Sequence, residues 1–246
     1  MTDLLIAAKA INTYYGASHI LRGIDFCVAR GETIGLMGRN GMGKSTLLKS
    51  IMGLVKPRTG AVSIMGKTMT GRAPFEVARL GIAYVPEGRG IFGNLSVKEN
   101  LVMAAREGAS EAARERARQN HDWTYERVLD TFPRLKERLG HGGQQLSGGE
   151  QRQLEIAMTL ATEPQVLLLD EPLAGMGIAE AERMVALLLT IKKDHGILLV
   201  EHDMDAVFAL ADQLTVMVNG QVIASGTPLE IRADAGVQAA YLGEEH

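Results

Sequence analysis

Short apolar or alternating runs in the first third of the 246-residue chain predict β-strands. These runs read "LLIAAKAI", "GIDFCVA", "ETIGLM" and "GAVSIMG", and "GIAYVP" adds another strand that looks buried. After "ETIGLM", the stretch "LLKSIMGL" has the length of a helix and ends at Gly53. From about Val97 to Ala161 the pattern predicts helices instead of strands.

Strand and helix patterns alternate in the last third of the chain. The strand runs are "QVLLLDEP" and "GILLVEH", and the helix patterns "AERMVALLLTIKK" and "DAVFALA" lie between and after them. Such alternation predicts an α/β fold with a parallel sheet that is covered on both faces. In "QLTVMVNGQVIASG" the Asn-Gly pair predicts a hairpin turn between two further strands.

Length and composition indicate one large folded domain, or one domain with a lobe, because 46% of the residues are hydrophobic. No apolar run approaches the roughly 18 residues of a membrane span, and the first residues lack the features of a secretory signal. We therefore expect a chain that stays in the cytosol. The single cysteine, Cys27, excludes an internal disulfide and a multi-thiolate metal site, and we expect it to be a small buried residue.

The net charge of -3 argues against nucleic acid or an anionic lipid surface as the main partner. Any contact with a membrane should therefore pass through another protein.

The stretch "GRNGMGKST" carries the first candidate site. It satisfies G-x-x-x-x-G-K-[ST] and lies between a predicted strand and a predicted helix, which favours a phosphate loop over a glycine-rich turn with an incidental lysine. Glycines let several backbone N–H groups converge on phosphate oxygens, and the helix dipole points at the same place. The candidate residues are Gly38, Arg39, Asn40, Gly41, Gly43, Lys44, Ser45 and Thr46.

Within this loop, Lys44 is expected to neutralise the β- and γ-phosphates and Ser45 to coordinate Mg²⁺. Thr46 is expected to add a phosphate contact. The motif alone indicates only a nucleoside triphosphate.

A second candidate element is "VLLLDEP", where two carboxylates follow a buried strand. Asp170 at the carboxyl end of that strand should lie beside the phosphate loop and act as a carboxylate of the Mg²⁺ site. Glu171 would then polarise an attacking water. The alternative is that the two residues merely begin a helix.

The stretch "LSGGEQRQ" indicates which class of phosphate-loop protein the chain resembles. Ser147 and Glu150 form S-x-x-E, an ordinary capping box, but capping does not require Gly148 and Gly149. Two glycines at a helix start bring backbone N–H groups close to an anion. Here the chain resembles the ATP-binding cassette (ABC) family, whose signature motif reads LSGGQ.

The resemblance implies roles for further residues. Tyr15, rather than its neighbour Tyr14, resembles the aromatic that stacks on adenine, although core packing is the alternative for either ring. Glu87 in "YVPEGR" stands where most members carry a glutamine that touches Mg²⁺ and the water, and His202 resembles the switch histidine at the γ-phosphate. Gly177 stands where an aspartate is usual, which weakens the expected contact with a second cassette.

The implied fold is an α/β P-loop NTPase: an ABC-type ATPase core with an N-terminal antiparallel β subdomain and a helical signature subdomain. The resemblance covers essentially the whole chain, as a single domain of residues 1–246. Residues 1–87 and 162–246 would form the nucleotide-binding core with its β subdomain, and 88–161 the helical subdomain.

The implied activity is ATP hydrolysis with ATP and Mg²⁺ as cofactors. In the family, two ATP-binding subunits pack head to tail, and Ser147, Gly148, Gly149 and Glu150 of one chain face the nucleotide of the other. "YVPEGRGIF", "NLSVKENL" and "YLGEE" most resemble the subunits of branched-chain amino-acid importers, whose relatives handle other amino acids, amides or urea.

The implied partners are a second ATP-binding subunit, identical or different, two transmembrane permease subunits and, indirectly, a substrate-binding protein. This places the chain peripherally on the cytoplasmic face of the inner membrane.

Three rival functions fit less well. A DNA-repair type of ABC ATPase needs a coiled-coil insertion or a basic face, and neither is found here. A translation type normally carries two cassettes, whereas one "GKST" and one "LSGGEQ" occur. A P-loop kinase leaves the segment from Ser147 to Gln151 without a role.

Overall fold

The computed structural model describes residues 3–88, 90–105 and 123–242 of the chain. The strands are β1 (Leu4–Tyr15), β2 (Ser18–Ala29), β3 (Thr33–Met37), β4 (Thr59–Ile64), β5 (Lys67–Thr68), β6 (Ile82–Val85), β7 (Val166–Asp170), β8 (Gly196–Val200), β9 (Gln213–Val218) and β10 (Gln221–Gly226). The helices are α1 (Lys44–Ile51), α2 (Pro74–Arg79), α3 (Val97–Ala104), α4 (Tyr125–Thr131), α5 (Pro133–Glu137), α6 (Gly148–Leu160), α7 (Ile178–Ile191), α8 (Met204–Leu210), α9 (Pro228–Ala233) and α10 (Ala235–Leu242).

The N-terminal strands form an antiparallel sheet in the order β2-β1-β4-β5, which confirms the predicted β subdomain. Residues along β2 alternate between buried and exposed positions near its end, as expected for a sheet with one solvated face. The prediction that Cys27 is buried is wrong for this reason: its neighbours Phe26 and Val28 face the core, and Cys27 is exposed.

A second sheet has the order β10-β9-β3-β8-β7-β6, and the pairs from β9 to β6 are parallel. Strands β3, β7 and β8 are buried along their whole length because both faces of this sheet are covered. Strand β10 joins antiparallel to β9 through Asn219 and Gly220, both at positive φ (49° and 75°). The predicted Asn-Gly hairpin is therefore confirmed.

The second sheet separates two apolar cores. Leu168 of β7 and Leu198 of β8 point into the core shared with α1 and the antiparallel sheet. Their neighbours Leu167 and Leu199 point into the opposite core, which includes residues of α3, α6 and α7. This layering holds β3 and β7 on either side of β8, so the segments that follow these parallel strands meet at one edge of the sheet.

Candidate nucleotide site

The loop between β3 and α1 has a backbone that depends on glycine at two positions. Gly38 has φ 148°, and a Cβ placed there would come within 2.5 Å of the Met217 carbonyl oxygen. Gly43 has φ 100°, and a Cβ there would lie 2.9 Å from a methyl group of Leu21. Larger residues at these positions would therefore displace the loop from the end of β9 and from β2.

Lys44 closes this loop on itself. Its Nζ atom donates hydrogen bonds to the carbonyl oxygens of Gly38 (2.6 Å) and Arg39 (3.1 Å). Burial lowers the pKa of Lys44, while the charges of Glu171, Asp170 and Glu87 act in the opposite direction. A cation thus lies between the phosphate loop and three carboxylates.

Asp170 at the end of β7 is 2% exposed and has a hydroxyl donor on each oxygen. Ser45 donates to Oδ1 (3.1 Å), and Tyr84 at the end of β6 donates to Oδ2 (3.1 Å). Burial raises the pKa of Asp170, these two hydrogen bonds oppose the rise, and the charge of Glu87 adds to it. Burial also raises the pKa of Tyr84, with Asp170 adding to the rise, so the phenol keeps its proton and remains a donor.

A hydroxyl and a carboxylate held 3.1 Å apart are a donor set that suits Mg²⁺. No cluster of three or more His, Cys, Asp or Glu side chains suited to a metal ion occurs among the described residues. The two findings agree, since Mg²⁺ in nucleotide enzymes takes one or two protein ligands and completes its shell with phosphates and water.

Glu171 has a left-handed backbone (φ 53°), which is rare for a residue with a side chain. Its N–H donates to the carbonyl of Val200 at the end of β8 (2.8 Å), which holds the turn against the neighbouring strand. Burial raises the pKa of Glu171, and the charge of Glu87 raises it further. His202 lies just beyond β8, with Nδ1 3.9 Å from Oε2 of Glu171.

An open cavity of about 470 Å³ lies over the phosphate loop. It is lined by Tyr15, Ile20, Asn40, Gly41, Gly43, Lys44, Ser45, Thr46, Glu87 and Glu171. Tyr15 is 47% exposed, whereas Tyr14 is stacked on His19 (4.1 Å between ring centroids) with Arg58 above its ring (3.8 Å). Of the two candidate rings, Tyr15 is the one at the cavity.

The predicted capping box at the start of α6 is confirmed. Ser147 Oγ accepts the N–H of Glu150 (3.2 Å), and Glu150 Oε2 accepts the N–H of Ser147 (2.9 Å). Glu150 also pairs with Arg138 (2.9 Å), so its carboxylate is engaged within the chain. Ser147 is exposed, and the residues from Ser147 to Glu150 are not among those that line the cavity over the phosphate loop.

Gly149 has a packing role that the sequence did not reveal. A Cβ at this position would overlap the carboxylate of Glu180 on α7. Glu180 also accepts the N–H of Gly177 (3.2 Å), the residue directly before α7. The signature glycine and the start of α7 are therefore packed directly against each other.

Three residues that the sequence did not single out join the site. Tyr84 bonds Asp170, Glu201 contacts His202 (3.2 Å), and Arg152 bonds the backbone of Glu87 and Glu171. In the sequence, these residues are marked only as polar side chains at a strand end or within a helix. Many residues with a purely structural role share these features. Arg89 and residues 243–245 of "YLGEE" lie outside the described residues.

Comparison with known families gives two matches. The family described as ABC transporter matches residues 21–174, and the family described as branched-chain amino acid ATP-binding cassette transporter matches residues 221–246. Among curated proteins, the chain is 32% identical to the high-affinity branched-chain amino acid transport ATP-binding protein BraG of Pseudomonas aeruginosa, over 97% of this chain and 100% of that protein. It is also 32% identical to the lipopolysaccharide export system ATP-binding protein LptB of Acidithiobacillus ferridurans, over 98% of both.

Solved structures agree with these matches. The crystal structure of an ATP-binding cassette of an ABC transporter in its ADP conformation superimposes with a TM-score of 0.82 at 29% identity. The superposition covers 98% of this chain and 99% of that one. Within the described residues, no helix is long and apolar enough to cross a bilayer.

Proposed function

The chain belongs to the ABC transporter family, and from that premise we propose that it powers an importer of branched-chain amino acids or of related amino acids, amides or urea. It is an ATP-binding subunit with ATPase activity, as its family and its full-length relatives show. The proposed class of transported substrate rests on the match of residues 221–246 to the branched-chain amino acid cassette family. The catalytic centre does not contact cargo, so it carries no information about that class.

We assign the cavity over the phosphate loop to ATP. Tyr15 would stack on the adenine at one end, and the loop from Gly38 to Thr46 would hold the phosphates with its N–H groups at the other. Lys44 would exchange its bonds to the loop carbonyls for phosphate oxygens, which keeps its charge paired.

Mg²⁺ would be held by Ser45 and Asp170, and when bound it neutralises charge that develops on the phosphates. Tyr84 keeps one oxygen of Asp170 occupied and so orients the other toward Ser45. Glu87 lines the same cavity and lies near enough to raise the pKa of both Asp170 and Glu171. It could therefore approach the metal or its water only when the ion offsets the repulsion among these carboxylates.

Glu171 would act as the base that polarises the attacking water. A raised pKa suits a general base, because it brings the carboxylate closer to the operating pH. Nδ1 of His202 lies 3.9 Å from Oε2 of Glu171, and the His202 side chain is 74% exposed. It is free to contact the γ-phosphate once nucleotide is bound.

The signature residues would act on the nucleotide of a second ATP-binding subunit. Ser147 is exposed and the cavity of its own chain is lined by other residues, which supports a role in trans. In a head-to-tail pair, Ser147 and the N–H groups of Gly148 and Gly149 would meet the γ-phosphate, with Glu150 fixing the cap. Each half-site would thus need residues from both chains.

Binding would close the pair and hydrolysis would reopen it, a ligand-driven population shift that two permease subunits would convert into alternating access. We place this assembly on the cytoplasmic face of the inner membrane, with a substrate-binding protein outside. The helical subdomain, residues 88–161, would receive the permeases, and residues 1–87 and 162–246 would bind nucleotide.

The test is to purify the tagged chain from native membranes and to identify its partners. We expect two permease subunits and an ATP-binding subunit, and an ATPase rate that rises when a binding protein loaded with a branched-chain amino acid is added to the reconstituted complex. Lys44→Ala in the same complex is the control for background activity. Recovery of ribosomes, DNA-repair proteins or a lipopolysaccharide exporter instead would contradict the proposal.

A further inference from the structure

Arg152 lies on α6, five positions after the signature serine, and is 6% exposed. Its guanidinium donates to the carbonyl oxygens of Pro86 (2.7 Å), Glu87 (3.1 Å) and Glu171 (3.0 Å). The first two carbonyls belong to the segment after β6, and the third belongs to the turn after β7. One side chain of the signature helix therefore holds both segments that contribute carboxylates to the cavity.

Glu155, one turn further along α6, keeps Arg152 in place. Its Oε2 lies 2.6 Å from Nη1 of Arg152, and its Oε1 accepts the N–H of Gly90 (2.9 Å). Burial raises the pKa of Glu155, and the charge of Arg152 opposes that rise. Burying an ion pair costs desolvation free energy, so the pair is weak evidence for stability. Its relevance here is that it fixes the position of the Arg152 guanidinium.

The carbonyl that Arg152 holds belongs to a strained residue. Glu171 has φ 53°, and such a conformation persists only where the surroundings fix it. Its N–H is bound to Val200, and its carbonyl oxygen accepts both Arg152 and the N–H of Ala174 (3.1 Å). Among these partners, Arg152 is the one that comes from the signature helix.

We propose that Arg152, anchored by Glu155, is a positioning residue that ties the backbone of Glu171 and Glu87 to the signature helix of the same chain. Helix α6 is a rigid element, so a shift of its N-terminus on meeting a partner's nucleotide is carried to Arg152 and to both held segments. This second step rests on the proposed function, in which Ser147 acts in trans. Arg152 thereby links the nucleotide bound by the partner chain to the base of its own half-site.

The decisive variant removes both charges, because Arg152→Met alone would leave Glu155 buried without its partner. Arg152→Met with Glu155→Met keeps apolar volume on α6 and deletes every bond to the three carbonyls. Arg152→Lys keeps the charge but replaces a planar fork by a single ammonium, which cannot span the same acceptors. Lys192→Met is the matched control, since Lys192 also bonds a carboxylate (Asp212, 2.9 Å) and a carbonyl (Leu210, 2.9 Å), away from the cavity.

Two measurements on the full-length chain separate positioning from a general effect on folding. In the double variant, kcat should fall about 100-fold, as expected for a base displaced by roughly an ångström, while KM for ATP stays unchanged because the phosphate loop is intact. The kcat of Arg152→Lys should lie between that of the double variant and that of the wild type. Hydrogen exchange should speed up in the peptides that contain Glu87 and Glu171 and stay unchanged in the phosphate loop.

Unchanged kcat in the folded double variant would overturn the proposal, and so would parallel losses of kcat, ATP affinity and melting temperature. Lys192→Met should alter neither kcat nor the exchange of those two peptides. Absence of ATPase activity in the wild type would contradict the proposed function instead. The exchange measurement needs no turnover and still decides whether Arg152 holds the two segments.

Discussion

Oε1 of Glu201 lies 3.2 Å from Nδ1 of His202, so the residue that precedes His202 in the chain also contacts its ring. The Glu201 side chain is 1% exposed, and its other oxygen accepts the N–H of Leu173 (3.2 Å), in the turn that follows Glu171. This carboxylate lies on the Nδ1 side of the ring, which leaves Nε2 for the nucleotide. Glu201 therefore connects the ring of His202 to the turn that follows Glu171.

Glu201→Gln should weaken both the fold and the activity. The amide cannot accept the N–H groups of His202 and Leu173 on both of its atoms, and an unsatisfied buried donor costs about 1–3 kcal/mol. We expect a lower free energy of unfolding in urea and an ATPase rate reduced by at least about tenfold. Glu182→Gln, an exposed glutamate on α7, is the control, and equal behaviour of the two variants would contradict the role of Glu201.

Glu171→Gln should bind ATP and hydrolyse it very slowly. The substitution preserves the shape of the side chain but removes the group that polarises water, a loss of about 100- to 10,000-fold for a general base. Without hydrolysis the closed state should persist, so gel filtration with ATP should show a stable dimer. A turnover rate like that of the wild type would rule out Glu171 as the base.

Lys44→Ala and Ser147→Arg should fail in different ways. Lys44 lines the cavity of its own chain, so its loss should weaken ATP binding and abolish turnover. Ser147 does not line that cavity, so Ser147→Arg should leave ATP binding by the single chain nearly intact and still abolish turnover. Equilibrium ATP binding to each variant is the measurement, and equal losses of affinity would contradict action in trans.

Mixing these two inactive variants should restore part of the activity. A mixed dimer contains one half-site with an unaltered phosphate loop and an unaltered signature motif. Titrating one variant against the other should give a maximum rate near equal concentrations, provided that a half-site works alone. Each variant mixed with additional copies of itself is the control and should stay inactive.

The phosphate loop was predictable because its constraint is local: the torsions of Gly38 and Gly43 and the neighbouring Lys44 and Ser45 lie in eight consecutive residues. The parallel sheet was also predictable, because each of its buried strands is a short apolar run in the sequence. Tyr84, by contrast, meets Asp170 across 86 residues and Arg152 meets Pro86 across 66 residues. No local pattern records such contacts, since an arginine in "GEQRQLEI" reads like a residue on a solvated helix face.

His195 should make the fold sensitive to mild acid. It is 7% exposed, its Nδ1–H donates to the carbonyl of Ile191 (2.7 Å), and burial lowers its pKa. Below about pH 6.5 the unfolded chain binds a proton on this ring that the folded chain excludes, so stability is lost as the pH falls. The loss is at most about 1.4 kcal/mol for each pH unit.

The measurement is the free energy of unfolding in urea between pH 5.5 and pH 8, values chosen on either side of the ordinary histidine pKa of about 6.5. His195→Asn keeps a donor near Ile191 but cannot be protonated in this range, so its curve should be flatter than that of the wild type. Parallel curves for the two proteins would show that His195 does not set this pH dependence.

Glu87→Gln should change how the site responds to Mg²⁺. The charge of Glu87 raises the pKa of Asp170 and of Glu171, and it would also repel the phosphates of bound ATP. Without Mg²⁺, the glutamine variant should therefore bind ATP more tightly, by about fivefold if one partly screened charge contributes on the order of 1 kcal/mol. With Mg²⁺, the difference should shrink because the ion offsets that repulsion.

The same substitution should also move the pH profile of hydrolysis. Removing the charge of Glu87 lowers the pKa of Glu171, so the base stays ionised at lower pH. The acid limb of the pH–rate profile should therefore shift to lower pH. In the reconstituted complex, stimulation by the loaded binding protein should change more than the basal rate, because Arg152 of α6 holds the segment of Glu87. If ATP affinity, pH profile and stimulation all stay as in the wild type, Glu87 is a surface residue of this loop and has no coupling role.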